Sequence, residues 1–186
     1  LNELTSGGVS VCTRRRLAAK GFAITAHYDS TIADYFSGLE EQGEGTLNIK
    51  AYPVQKLRYG ENPHQSATLY ALEPNSGPLG GTMLQGKELS YNNLLDLDTA
   101  WRAVVSFEKP TVCIVKHLSP SGIASGEDLV SALRPALASD TVSAFGGVIA
   151  TNAIFDLDTV EALGDLFVEC IAAPGITSEA LLMLSL

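Results

Sequence analysis

Basic residues and cysteine are both scarce in this chain, and each scarcity removes a class of function. Lys and Arg number 12 against 21 Asp and Glu, a net charge of −9 over 186 residues. Binding to a phosphate backbone rests on clustered Lys and Arg, so no nucleic-acid partner is expected. The one basic cluster, Arg14-Arg15-Arg16, lies in a helical pattern and is too short to reverse this. Cysteine occurs only at 12, 113 and 170, an odd count with no CxxC. The expectation is reduced, buried thiols in a cytoplasmic setting rather than a disulfide framework. No apolar run reaches the length of a membrane span, and no signal-peptide pattern opens the sequence, so no membrane partner is expected either. The first residue is Leu1 rather than Met, which suggests a trimmed product.

Several catalytic signatures are also missing. There is no GxxxxGK[ST] loop, no GxGxxG turn and no GxSxG elbow. The H-x-E and P-C-x-x-C pair of zinc deaminases is absent. His27, His64 and His117 have no metal-ligand spacing to one another or to a cysteine, so no metal is expected.

What remains is a chain able to build a core. Hydrophobic residues make up 46% and charged residues 18%, which places it among globular proteins rather than disordered ones. Residues 11–36 carry helical periodicity, with Thr13 as a possible N-cap and Asp29-Ser30 as the start of a second helix ending before Gly38. Residues 37–46 are acidic, glycine-rich and nearly devoid of apolar side chains, and read as a domain boundary. Beyond it, strands are predicted at 47–52, 67–72, 111–116, 148–150 and 168–173. Helices are predicted from Asn92 or Asn93 to Phe107, at 127–138, at 157–166, and from a cap at Ser178. Alternating strands and helices point to a layered α/β architecture. The last helix has no stop signal and no strand follows it, so the architecture is expected to be unfinished.

Four loops beside predicted strands could carry chemistry. Arg58-Tyr59-Gly60, with Asn62, His64 and Gln65 close behind, offers a planar charged fork and a close backbone approach. Lys116-His117 ends the apolar run Val112–Val115 and meets a turn, Ser119-Pro120-Ser121-Gly122, at the end of a strand where α/β sheets keep ligands. A lysine can stabilise an oxyanion there and a histidine can take a proton. Two solvated polar residues at a strand end are the competing reading. Neighbouring side chains on a regular strand face opposite ways, so the pair can serve one site only if the backbone turns at this point. Ser139-Asp140 through Phe145-Gly146-Gly147 and Ala173-Pro174-Gly175 are the other two loops, and turn geometry alone accounts for their glycines as readily as a ligand does.

Taken in order, these segments match one family. The text Arg14-Arg15-Arg16-Leu17-Ala18-Ala19-Lys20 with Thr25-Ala26-His27-Tyr28-Asp29 comes first. Leu57-Arg58-Tyr59-Gly60-Glu61-Asn62-Pro63-His64-Gln65 and Leu89-Ser90-Tyr91-Asn92-Asn93-Leu94-Leu95-Asp96 follow. Lys116-His117, Ser143-Ala144-Phe145-Gly146-Gly147 and Ala173-Pro174-Gly175 complete the series. In this order and over nearly the whole chain, the sequence resembles the bifunctional purine biosynthesis proteins, which join phosphoribosylaminoimidazolecarboxamide (AICAR) formyltransferase to inosine monophosphate (IMP) cyclohydrolase.

The resemblance implies that residues 1–46 are the last helices and linker of a cyclohydrolase domain with a methylglyoxal-synthase-like fold. It implies that residues 47–186 are the first half of a cytidine-deaminase-like formyltransferase domain that needs no zinc. On this register the chain is an internal piece of a homodimeric protein roughly three times as long. The implied reaction moves a formyl group from 10-formyltetrahydrofolate, a co-substrate, to the 5-amino group of AICAR, and cyclisation to IMP follows in the full protein. His117 matches the family's general base and Lys116 its stabilising cation. Arg58 and Tyr59 match residues that hold the nucleotide, Gly175 a backbone contact to it, and Asn93 a further substrate-facing position. The alternative is an inactive nucleotide-binding or dimerisation fragment of the same family.

Overall fold

The computed structural model describes residues 2–5, 7–39 and 47–185. They fall into two compact units, Leu1–Ala51 and Tyr52–Leu186. In the first, a short α1 (Asn2–Thr5) precedes a long α2 (Val11–Ser37). The two helices expected over 11–36 are one. No proline interrupts residues 28–31, and the Thr31 hydroxyl donates back to the His27 carbonyl at 2.9 Å, which leaves the ladder intact. Ser10, not Thr13, caps α2: its Oγ accepts from the Thr13 backbone N–H at 3.1 Å. The Thr13 hydroxyl instead donates to Glu3 Oε1 at 2.9 Å. No residue of α2 is buried. The expected boundary at 37–46 lies outside the described residues from position 40 onward.

The second unit opens with an antiparallel hairpin, β1 (Tyr52–Lys56) and β2 (Thr68–Ala71). A strand was expected at 47–52, but the pairing with β2 runs from Tyr52 to Lys56, and residues 47–50 are irregular. The intervening loop sets that register: Leu57 is buried and its N–H donates to the Ala67 carbonyl at 3.0 Å. A 3₁₀ turn at Pro78–Gly80 follows.

The main body is a mixed four-stranded sheet in the order β4-β3-β5-β6. The strands are β3 (Thr111–Lys116), β4 (Ser119–Ser125), β5 (Gly147–Thr151) and β6 (Val168–Ala172). β3 runs antiparallel to both neighbours, and β5 pairs parallel with β6. Helix α3 (Tyr91–Val104) covers one face, while α4 (Leu129–Ser139), α6 (Leu157–Leu163) and α7 (Ser178–Met183) belong to the other; the short α5 (Thr141–Ala144) leads into β5.

Strand alternation sorts the core. Val112, Ile114 and Ile149 pack among α4, α6 and α7, with Leu133, Phe155 and Val160 as partners. Cys113, Val115, Val148 and Ala150 pack against Ala100 and Val104 of α3. β3 and β5 are buried along nearly their full length, as central strands covered on both faces should be. Each fully buried aliphatic side chain here contributes about 2 kcal/mol. Of the three cysteines expected to be buried, Cys113 is, Cys170 is half-buried on β6, and Cys12 is exposed on α2.

The turn expected at 119–122 is instead strand. The reversal is tighter: Lys116 already pairs with Ser119, so only His117 and Leu118 form the loop. Pro120 is tolerated because β4 is an edge strand. Gly122 is needed where β4 meets α4, since a Cβ there would collide with the Ala136 carbonyl. The helix caps also shift by a residue or more from expectation. Ser90 caps α3, with Asn93 completing a capping box, and Thr177 rather than Ser178 caps α7. Among the described residues, no helix is long and apolar enough to cross a membrane.

Candidate active site

The hairpin β1–β2 delivers Arg58 and Tyr59 to the N-terminus of α3. The Arg58 N–H donates to the Leu89 carbonyl at 2.9 Å and the Tyr91 N–H to the Tyr59 carbonyl at 3.2 Å. The segment 57–60 is thus laced to the residues that begin α3. Gly60 permits the fold-back of this loop: a Cβ there would lie 3.0 Å from Gln65 Cβ. Gln65 Oε1 in turn accepts the Asn62 N–H at 2.8 Å.

Around Arg58 the side chains form a connected set. Its guanidinium sits 5.0 Å from the Tyr59 ring centroid, and Nη2 donates to the Tyr59 hydroxyl at 3.3 Å. Glu169 Oε2 lies 3.7 Å from Arg58 Nη2 and accepts from Asn93 Nδ2 at 3.2 Å. Both partners of the ion pair keep about a third of their side chain in water (35% and 37%), so the pair itself is worth under ~1 kcal/mol. Its effect is to orient the fork. Asn93 is buried and doubly used, since its Oδ1 accepts from the Ser90 N–H at 3.0 Å and the Ser90 hydroxyl at 2.8 Å. The capping box of α3 and the Arg58 cluster therefore share one side chain.

At the end of β3, Lys116 and His117 are anchored from two directions. Lys116 Nζ donates to the Phe145 carbonyl at 2.6 Å, on the loop between α5 and β5. That loop is held by the Asp140 cap of α5, whose carboxyl is kept below the usual carboxylate range chiefly by its hydrogen bonds with Ser143, with Lys116 adding a smaller electrostatic effect. Gly146 turns here with φ 69° and donates its N–H to the Phe167 carbonyl at 2.7 Å. The rings of Phe145 and Phe167 lie 5.6 Å apart beside it, both more than half exposed. His117 is exposed, and its backbone N–H donates to Asp96 Oδ2 at 3.3 Å.

Helix α3 joins the two groups. Asn93 and Asp96 are three residues apart, neighbours on one helix face. One reaches Glu169 and, through it, Arg58; the other holds the turn that carries His117. Of the sequence-expected residues, Arg58, Tyr59 and Asn93 form one hydrogen-bonded set, and Lys116 and His117 sit at the end of β3. Gly175 lies elsewhere, in a groove of about 810 Å³ between β6 and residues 78–86. Glu169 also lines that groove, whereas Arg58, Lys116 and His117 do not. The Gly175 carbonyl accepts the Phe155 N–H at 2.9 Å, and a Cβ would fit in ordinary contact with Ile154.

Two residues escaped the sequence reading. Glu169 interrupts an otherwise apolar strand, a signal visible in the sequence. Asp96 sits one turn past Asn93, but nothing in the sequence says that β3 ends against it. Among the described residues, no group of three or more His, Cys, Asp or Glu could hold a metal ion.

Comparison with known proteins points to a single family. The model of the family described as "AICARFT/IMPCHase bienzyme" matches residues 1–186. The chain is 46% identical over 183 residues to the bifunctional purine biosynthesis protein PurH of Acidithiobacillus ferrooxidans, covering 96% of this chain and 35% of that protein. It is 45% identical over 190 residues to PurH of Rippkaea orientalis, covering 97% and 37%. With PurH of Agrobacterium fabrum the identity is 47% over 183 residues, covering 96% and 34%. The chain spans about a third of the length of the curated relatives it matches.

Proposed function

We propose a formyl-transfer site for this chain, which belongs to the AICARFT/IMPCHase bienzyme family. In this reading residues 47–186 are the first half of a cytidine-deaminase-like formyltransferase domain. Residues 1–46 are the closing helices and linker of a methylglyoxal-synthase-like cyclohydrolase domain. The division of the chain into the units Leu1–Ala51 and Tyr52–Leu186 supports that register. The homodimer and cytoplasmic setting of the family carry over as part of the same proposal.

The reaction sets a physical problem that these residues answer. The 5-amino group of AICAR is conjugated with its imidazole and carboxamide, so its lone pair is a poor nucleophile. Attack on the formyl carbon of 10-formyltetrahydrofolate forms a new C–N bond and a tetrahedral oxyanion. The amine proton passes to the His117 imidazole, and the Lys116 ammonium stabilises the oxyanion. Collapse breaks the bond to N10 of the folate, which takes up a proton as it leaves. Arg58, turned by Glu169 and stacked on Tyr59, meets the anionic nucleotide; Asn93 fixes Glu169, and Gly175 offers a backbone contact from the neighbouring groove that Glu169 also lines. The formylated product then cyclises to IMP with loss of water in the other domain.

The observation that carries this reading is the shared helix: α3 bonds the Arg58 cluster through Asn93 and the His117 turn through Asp96. The test uses the full-length protein, with transfer from 10-formyltetrahydrofolate to AICAR followed by release of tetrahydrofolate. His117→Ala is expected to lower kcat by about 10²–10⁴-fold while nucleotide binding persists. Arg58→Ala is expected to weaken AICAR binding instead. Parent-like turnover in His117→Ala sinks the reading. Nucleotide binding with no transfer by the parent protein favours the inactive binding module.

A further inference from the structure

Two adjacent non-glycine residues, His117 and Leu118, hold φ values of 56° and 64°. Each lies in the left-handed region, where a Cβ crowds the following carbonyl oxygen. A two-residue hairpin loop with both residues left-handed normally takes Asn-Gly or Asp-Gly. His-Leu has neither preference. Nor does packing force the conformation on Leu118, which is 51% exposed. Strain of this kind persists only where the surroundings over-determine it.

The restraint is a single carboxylate. Asp96 Oδ1 accepts the Leu118 N–H at 2.7 Å, and Oδ2 accepts the His117 N–H at 3.3 Å. Both turn amides therefore point at α3, clamped by one rigid side chain. Charge-assisted bonds to two consecutive N–H groups are stronger than the neutral bonds a water pair would supply. On the other side, Lys116 is tied to the Phe145 carbonyl. The loop that would carry the base is thus fixed at its own backbone.

We propose that Asp96 is a positioning residue for formyl transfer, holding the His117-Leu118 turn left-handed so that the imidazole faces the reacting amine. The proposal rests on the formyl-transfer reading above. Asp96 touches no substrate in this account; it acts through the backbone of His117. Because the same helix carries Asn93, the turn and the Arg58 cluster keep a fixed spacing.

The test compares Asp96→Ala, Asp96→Asn, the double variant Asp96→Ala/Leu118→Gly and His117→Ala in the full-length protein. A displacement of the base by an ångström costs about 100-fold in rate, so Asp96→Ala is expected to lower kcat by about that factor with the KM for AICAR little changed. Asp96→Asn retains one acceptor oxygen and is expected to fall between Asp96→Ala and the parent. Leu118→Gly relieves the left-handed crowding, so adding it to Asp96→Ala is expected to restore about a tenth of parent turnover or more. A merely structural loss would not be rescued by a substitution in the turn. Parent-like kcat in Asp96→Ala, a change confined to KM, or no rescue by Leu118→Gly overturns the proposal. If Asp96→Ala does not fold, Asp96→Asn with and without Leu118→Gly carries the same test. Loss of transfer in His117→Ala alongside unchanged kcat in Asp96→Ala removes only the positioning role. Transfer retained by His117→Ala removes the formyl-transfer reading, and this proposal with it.

Discussion

Cys113 and Cys170 are both pushed up to about 11, in each case first by burial. Cys170 also feels the Glu169 carboxylate, partly offset by Arg58. At pH 8 such a thiol is about one part in a thousand thiolate, and the thiolate is the reactive form. Cys12 is exposed. A maleimide-type reagent is therefore expected to label Cys12 rapidly in the folded protein and the other two only after denaturation, as read by peptide mass. The same shift has a consequence for stability. Unfolded, these thiols lose their protons near 9.0, and folded near 11. Between those values the folded chain holds more protons, so stability falls as pH rises through that window. A stability–pH profile that stays flat from 9 to 11 would contradict the burial of both thiols. Asn93 makes a different point about single residues. One amide serves a helix cap and the Glu169 carboxylate together, so its substitution cannot separate fold from site.

Two elements carry the candidate site, and each has a weak point of its own. The β3–β4 hairpin rests on α4 through Gly122, where a Cβ would strike the Ala136 carbonyl. Backbone cannot yield there as a side chain tip would. Gly122→Ala is expected to lower the unfolding free energy by about 2–3 kcal/mol, measured by urea denaturation. Helix α3 depends on its capping box, in which the Ser90 hydroxyl both donates to Asn93 Oδ1 and accepts the Asn93 N–H. Ser90→Ala removes the cap at a cost of about 1 kcal/mol. It also loosens Asn93 and, through it, Glu169. The two variants should therefore differ in kind. Gly122→Ala is expected to act mainly on stability, whereas Ser90→Ala in the full-length protein is expected, on the proposed formyl-transfer function, to raise the KM for AICAR more than its stability loss accounts for. Equal effects on stability with no change in KM for Ser90→Ala would argue against the linkage through α3.

Within the unit Leu1–Ala51, α2 buries none of its apolar side chains. Leu17, Ile24, Tyr28 and Tyr35 fall on one face of α2 at helical spacing, each more than half exposed, and Phe22 is 75% exposed. Isolated exposed apolar residues are ordinary, but a contiguous stripe of this kind is not. The 186-residue chain by itself is expected to bind a hydrophobic dye such as ANS strongly, and Phe22→Lys with Ile24→Lys to reduce that signal. Dye binding unchanged by the double variant would place the exposed surface elsewhere. The relatives it matches are about three times as long.

Local chemistry was legible in the residues: the apolar β3 and its bounds, the presence of the helices expected from Asn92 or Asn93 to Phe107 and at 127–138 though not their ends (found at Tyr91–Val104 and Leu129–Ser139), the mixed α/β class, and the segments that betray the family. These follow from side-chain periodicity and turn chemistry, which act over a few neighbours. The tight His117-Leu118 reversal was not legible, because its two residues carry no turn preference and the carboxylate that accepts their amides lies 21 residues earlier in sequence. The same holds for Glu169, which meets Asn93 from 76 residues away. Which residues bear functional groups is written along the chain. Which of those groups meet is a matter of sheet order and helix packing, since hydrogen bonds between distant segments depend on how buried surfaces fit rather than on any local pattern.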